Sequence, residues 1–312
     1  MVAEQRTSRS TRTPMHTLRD YPYAWYPYTM FTHHLLVSSP AFLSTEVPMN
    51  PYTTTGQVDL KRAQAEHAAL VDAFIHAGFL VSQVPAPVLC PDGVYTANWA
   101  LVHDGVAVMA RLPHPRTDEE YFARGALTNL GIRCVEVPAP FLFSGQGDAL
   151  TCGRYLLAGS GYRSDAEAQQ FAAATLGLEL VQLETVPLLD GDGQVVINEV
   201  TGRPDSLFYD LDLALGVIDA KTIAYVPEAF TDTARASLEA LPLERIVVDY
   251  DEAVGGFACN FVSTGGTVIM SDQAPKLQAE LERRGYEVVT PHIRELQKGG
   301  GFIRCVSLSL AP

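Results

Sequence analysis

Apolar residues along this chain come in short runs that pair around tight turns. Segments 97–112, 148–159, 212–226 and 259–271 each read as two short apolar strands flanking a turn, with Asp104-Gly105, Cys152-Gly153 and Gly265-Gly266 at three of the turns. Such residues suit β-hairpins, where positive φ is needed, so four hairpins are predicted. After each comes a segment of helical composition: 117–131, 165–177, 230–241 and 273–286. In the last of these Leu277 and Leu281 fall four apart on one face and Gly285 supplies a stop. Each helix leads into a further apolar strand, at 133–138, 178–184, 245–250 and 286–291. The repeating unit is strand, strand, helix, strand.

A fifth copy appears when the two ends of the chain are joined. Residues 302–310 and 33–40 supply its hairpin strands, 58–78 its helix and 79–85 its last strand. Five ββαβ units in a ring, closed by pairing the ends, predict one α/β domain over 31–312 with no free sheet edge. Residues 1–30, which open on a polar stretch, read as a mobile tail. The competing reading of the same pattern is an ordinary mixed α/β sheet.

A chain of 312 residues with 47% hydrophobic residues can bury a full core. Its 36 acidic against 22 basic residues give a formal charge of -14, which repels phosphate backbones and anionic lipid and draws in small cations. No nucleic-acid or membrane partner is expected, the charge suits a small cationic substrate, and a homodimer is compatible with these features. No apolar run approaches the roughly 18 residues of a membrane span, and the N-terminal stretch lacks the apolar core of a secretion signal. Five cysteines, odd in number, widely spaced and without a CxxC pair, point to reduced thiols in a cytoplasm rather than to disulfides or zinc. The eight histidines make no metal-binding spacing beyond the weak pair His33-His34, so neither metal nor cofactor is expected.

The chemistry-bearing stretch lies near the C-terminus, where Gly299-Gly300-Gly301 precede Cys305. Most free cysteines are small buried hydrophobes. A nucleophilic one needs its thiolate, and glycines allow substrate and backbone amides to come close. In a ring of repeats the loops at one end converge, so the hairpin entrances at 91–99, 143–150, 207–215, 258–262 and 299–308 should meet. Together with 110–116 and 158–165, these segments resemble the pentein superfamily, and within it the dimethylarginine dimethylaminohydrolase, arginine deiminase and amidinotransferase group. The resemblance extends over about residues 33–310.

That resemblance implies a five-bladed α/β propeller and an enzyme whose cysteine attacks the guanidinium carbon of an arginine-like substrate, forming a covalent S-amidino intermediate. Cys305 falls where that cysteine belongs. Asn98 and Asp212 match positions that touch the guanidinium, and Arg163 matches an arginine that binds the α-carboxylate, a task suited to its planar fork. Arg111 is a weaker candidate for the same task, and Asp92, in the same entrance as Asn98, is a further substrate-binding candidate. Each also has a plainer use, in turns, backbone caps or surface ion pairs.

Two positions depart from the family pattern. Asp210, in Phe208-Tyr209-Asp210-Leu211-Asp212, stands where the family usually carries its acid–base histidine. Ser144, at the head of Ser144-Gly145-Gln146-Gly147-Asp148, stands where the family usually has a glutamate that holds the guanidinium. An ordinary aspartate, with a pKa near 3.9, cannot return a proton at neutral pH, so Asp210 as acid–base residue needs its pKa raised. Residues two apart on a strand face one side, and close carboxylates resist ionising together, which makes Asp212 the expected cause. His114 is the candidate for a replacement histidine, with His33 and His34 expected at the wrong end. The aromatic run at 21–28 and Trp99 are placed near the mouth, where they could stack on a flat cation. The expectation is therefore a cytoplasmic, Cys305-dependent amidinohydrolase or amidinotransferase. The alternative is a catalytically inactive pentein that binds an arginine-like ligand or a protein partner.

Overall fold

The structure, a computed structural model, describes residues 33–53 and 57–310; the expected tail and the aromatic run at 21–28 lie outside the described residues. In chain order the elements are β1 (His34–Ser38), α1 (Leu60–His76), β2 (Leu80–Val84), β3 (Ala100–His103), β4 (Val106–Met109), α2 (Glu119–Asn129) and β5 (Arg133–Glu136). There follow α3 (Gly145–Asp148), β6 (Ala149–Cys152), β7 (Tyr155–Ser160), α4 (Ala166–Leu176), β8 (Glu179–Glu184), β9 (Leu215–Val217), β10 (Thr222–Tyr225), α5 (Asp232–Glu239) and β11 (Glu244–Val247). The chain ends through α6 (Tyr250–Gly256), β12 (Val262–Ser263), β13 (Thr267–Ile269), α7 (Pro275–Arg283), β14 (Glu287–Val289) and β15 (Leu308–Ser309).

The strands form five separate three-stranded sheets, β3-β4-β5, β6-β7-β8, β9-β10-β11, β12-β13-β14 and β15-β1-β2. In every sheet the middle strand runs antiparallel to its hairpin partner and parallel to the strand after the helix. This is the expected ββαβ unit, five times over, a five-bladed α/β propeller. The last blade joins the two ends of the chain through Leu35 opposite Ser309 and Leu36 opposite Leu308. Burial falls from the first strand of a blade to the last: β3 has three of four residues buried, while β5 has none. Period-2 burial is thus replaced by two largely buried hairpin strands and one mostly uncovered strand, which explains why the hairpins read as continuous apolar runs.

Local chemistry fixes the turns. Asp104 and Gly105, at φ of 46° and 73°, close the β3–β4 hairpin in the twist-matched conformation that Asp-Gly favours. Asp59 caps α1 by accepting the Arg62 amide at 3.1 Å, and Gly285 ends the turn after α7 at φ of 91°.

Three local expectations change. The predicted C-terminal strand over 302–310 shrinks to Leu308–Ser309, and Cys305 lies in a turn whose Val306 amide donates to the Phe302 carbonyl at 3.1 Å. The stretch 211–213 is a 3-10 turn, closed by the Leu213 amide on the Asp210 carbonyl at 3.2 Å, so the strand begins only at Leu215. The predicted strand 245–250 stops at Val247 because Asp249 accepts the Glu252 amide at 3.2 Å and starts α6 instead.

Candidate active site

The entrance to each blade is a tight turn rather than an extended strand, and each turn carries one polar side chain inward. Asn98, Asp148, Asp212, Asn260 and Cys305 stand at these five places, all at most 2% exposed. The short helical turns at Thr96–Trp99, Gly145–Asp148 and Leu211–Leu213 explain the clustering, since a single turn of helix swings these side chains toward the axis.

Cys305 holds the centre. Its thiol donates to Asp212 Oδ2 at 3.3 Å, and Asn260 Nδ2 donates to its sulfur at 3.2 Å. Asn260 Oδ1 also accepts the Arg304 and Cys305 amides at 2.9 and 3.2 Å, so one side chain both fixes the turn and faces the sulfur. Burial pushes the Cys305 thiol well above its usual range, and Asp212 and Asp210 add to this. Asp212 is raised to about 8, by burial first and by Asp210 second.

The three glycines before Cys305 have separate reasons. A Cβ on Gly299 or Gly301 would run into the Tyr95 ring, and one on Gly300, at φ of 92°, would run into Asn50. Tyr95 OH donates to the Leu296 carbonyl at 2.8 Å, Tyr209 OH to the Gly300 carbonyl at 2.7 Å, and Asn50 Nδ2 to the Gly299 carbonyl at 2.8 Å. The loop is therefore clamped from both sides, and its side-chain-free backbone is what lets the clamps close.

Asp210 faces a different set of groups from Asp212, because the 3-10 turn after it sends the two carboxylates apart. Its Oδ2 accepts from Asn98 Nδ2 at 2.9 Å, its Oδ1 from Ser144 Oγ at 3.1 Å, and Arg163 Nη1 lies 3.9 Å away. Arg163 stacks its guanidinium 4.2 Å over the Tyr209 ring and donates to the Met49 carbonyl at 3.2 Å. The two departures from the family pattern thus touch each other: the serine hydroxyl donates to the aspartate. A carboxylate enters from residue 210 while residue 144 gives up the chance of another.

Behind Asn98 runs a buried network that leaves no mark in the hydrophobic pattern. Arg116 donates to Asn98 Oδ1 at 3.0 Å and pairs two-pronged with Glu119, both bonds at 2.8 Å. Burial works against the Arg116 charge, but Glu119, with Asp92 and Asp210, more than offsets it. Asp92 Oδ2 is 3.8 Å from Arg116, and burial raises Asp92 to about 6 against the pull of that guanidinium. Together these bonds fix which end of the Asn98 amide faces the carboxylate of Asp210.

Asp92, Asn98, Arg163, Asp210 and Cys305 line one cavity, with Asn50, Tyr95, Arg116, Tyr209, Gly299 and Gly301. It is tight, about 10 Å³. Ser144 sits behind its wall, acting on Asp210 and Asn98. Asp212 does not line it and lines a larger channel instead. Arg111, expected at the site, lies off it: its guanidinium is turned to the Val137 carbonyl at 3.2 Å, and its backbone bridges to Phe143. Arg116, five residues on, takes the place in the cavity. His114 is exposed, and His33 lines the channel rather than the cavity. Trp99 is buried with its indole on Glu119 Oε2 at 3.2 Å, so it packs beneath the site instead of stacking at its mouth. Among the described residues no cluster of three or more histidine, cysteine or acidic side chains could hold a metal ion.

Gly147 keeps Asn98 and Asp210 together, since a Cβ there would lie 2.9 Å from Asp210 Oδ2 and run into Asn98 Nδ2. Gly147→Ala is therefore expected to cost about 1–3 kcal/mol of stability, typical of overpacking, and to weaken ligand binding. Thermal unfolding and titration with arginine check it.

A five-bladed propeller with a buried cysteine, carboxylates and two arginines around one end of its axis defines a class of guanidine-modifying proteins. The chain belongs to that class, the dimethylargininase-type penteins, as its relatives show. It is 35% identical over 283 residues to the N(G),N(G)-dimethylarginine dimethylaminohydrolase of Mycobacterium tuberculosis, covering 90% of this chain and 87% of that one. It is 31% identical over 223 residues to the bifunctional arginine dihydrolase/ornithine cyclodeaminase ArgZ of a Synechocystis strain, covering 70% of this chain but 29% of that longer protein. The substrate-bound N-terminal domain of ArgZ, a cyanobacterial arginine dihydrolase, superposes with a TM-score of 0.79 at 27% identity over 89% of this chain and 98% of that domain. No protein-family model matches the chain.

Proposed function

We propose that this protein hydrolyses a guanidino C–N bond of an arginine-like amino acid through a covalent adduct on Cys305. The observation that carries the reading is the position of Cys305, on the wall of a cavity that Asp210 and Arg163 also line. A thiolate attacks an electrophilic carbon, a carboxylate holds the cation that contains it, and an arginine fork suits an α-carboxylate.

Asp210 already faces one guanidinium, that of Arg163 at 3.9 Å. A substrate carboxylate that draws Arg163 toward itself leaves Asp210 free to pair with the substrate guanidinium, and this exchange of partners opens the tight cavity. Asn98, its Oδ1 held by Arg116, donates Nδ2 to Asp210 and so positions that carboxylate for the cation. Asp92 and Ser144 complete the surroundings, Asp92 on the wall and Ser144 as a donor that positions Asp210. A buried carboxylate offered to a planar cation is better matched to hydrolysis of arginine and its analogues than to neutral ligands. The hydrolase names of the relatives support the same reading.

The test is product analysis with a panel of L-arginine, methylated arginines, agmatine, canavanine and guanidinoacetate. Release of ammonia or a methylamine with the matching ureido or amino product supports the reading. Tight binding of a panel member with no product from any of them would overturn it in favour of a ligand-binding pentein.

A further inference from the structure

Asp212 is held in an unusual position for a residue expected to touch the substrate. Its Oδ2 receives the Cys305 thiol at 3.3 Å, and its other oxygen, Oδ1, is buried without a hydrogen-bond partner. The residue is 1% exposed and does not line the substrate cavity. It lines instead a channel of about 480 Å³, as do Arg304 and Gln146. Gly153, Ala220 and Gly265, exposed turn residues of three successive blades, lie on the channel wall toward solvent. A carboxylate with one oxygen on the nucleophile and the other unpaired, on a residue that lines a channel, is placed to move a proton between them.

We infer that Asp212 is the group that takes the Cys305 proton, and that the channel it lines, rather than the substrate cavity, connects this carboxyl to water. The inference rests on the hydrolase reading above and deepens it by supplying the acid–base group that the family histidine provides elsewhere. The step balances as follows. The Sγ–H bond breaks and its proton passes to Asp212 Oδ2; the sulfur electron pair bonds the guanidinium carbon. The C–N bond to the departing amine then breaks with its electrons on nitrogen, and that nitrogen takes the proton back from Asp212 Oδ2, the oxygen 3.3 Å from the sulfur.

Charge around Asp212 sets when this works. The Cys305 thiol bonds it, Asp210 acts on it only through its charge, Tyr209 and Cys259 lie nearby, and Arg304 is the cation that opposes them. His33 and His103 stand on the channel wall. Burial and Asp210 raise Asp212 to about 8, so below that pH the carboxyl keeps a proton of its own and cannot accept another. That resting proton must first leave, and the channel is the exit that remains when a substrate fills the cavity. A bound guanidinium favours the ionised form and drives the departure.

The experiment uses iodoacetamide, which carries no guanidine, so its outcome is independent of which substrate the enzyme takes. Alkylation of Cys305 is followed by peptide mass spectrometry from pH 6 to pH 10 in the full chain and in Asp212→Asn. The wild type is expected to show a rise in rate through about pH 8 as Asp212 ionises. Asp212→Asn is expected to lose that step and react at least about 10-fold more slowly above it, within the range of lost general-base help. The two roles predict opposite signs. If Asp212 were only a like charge beside the thiol, its removal would make Cys305 react faster, and that result overturns the inference. If Asp212→Asn does not fold, the wild-type profile decides alone: a rate without a step near pH 8 contradicts the assignment.

Discussion

Cys305→Ser is expected to abolish covalent labelling by substrate and to lower turnover by at least about 10³-fold, the scale on which loss of a covalent nucleophile is felt. The hydroxyl is close in size to the thiol and keeps partners in Asp212 and Asn260, at 3.3 and 3.2 Å from the native sulfur. The fold should therefore survive, with an unfolding temperature near that of the wild type. Ligand binding should persist, because Asp210, Asn98 and Arg163 are untouched. Loss of turnover with binding retained separates a nucleophile from a packing residue, whose removal would lower stability and leave the rate of the remaining folded enzyme intact. Steady-state kinetics with calorimetric titration of the same preparation read both.

The second large effect concerns the pair at 144 and 210. Ser144 Oγ donates to Asp210 Oδ1 at 3.1 Å, and both residues are at most 1% exposed. Ser144→Glu alone places a second buried carboxylate against the first. One must then take a proton or remain uncompensated, at a cost of about 3–5 kcal/mol, the range for an unpaired buried charge. Ser144→Glu combined with Asp210→His removes the clash and restores the histidine and glutamate that the family usually has. The double variant is expected to regain much of the stability lost in the single one, with a coupling of about 1–3 kcal/mol in a denaturation cycle. Additive effects would show that the two replacements are independent. The same double variant would also carry its acid–base function on a histidine, so its dependence on Asp212 should weaken.

The repeat was legible because it is written in long-range terms: turn residues at fixed spacing, an amphipathic segment after each hairpin, and an apolar strand after that. Closing the ring through Leu35, Leu36, Leu308 and Ser309 followed from counting units. The blade entrances were not legible. The segment 207–215 looks like an extended apolar run, yet Leu211–Leu213 is a 3-10 turn. That turn sends Asp210 to Asn98 and Arg163 while Asp212 goes to Cys305, so the same-face reading of residues 210 and 212 does not hold. A difference of one helical turn is invisible to hydrophobic periodicity, and it decides which carboxylate meets the thiol. That Arg116 rather than Arg111 enters the cavity is hidden in the sequence for a related reason. In a loop nothing in composition tells which arginine turns inward, although Glu119 three residues after Arg116, at the start of α2, is the partner a buried guanidinium needs. Asn260 had a weaker signal still, its place in the fourth hairpin entrance, where by analogy with Asn98 a polar residue faces the axis.

The central claim is that Cys305 forms a bond with a guanidine-derived carbon, and intact-protein mass spectrometry after rapid acid quench tests it most directly. Wild-type protein mixed with the arginine panel should gain the mass of an amidino-type adduct for at least one member, mapped by peptide digestion to Cys305 and missing from Cys305→Ser. Turnover of a panel member with no adduct on Cys305 at any quench time, and equal turnover in Cys305→Ser, would contradict the account.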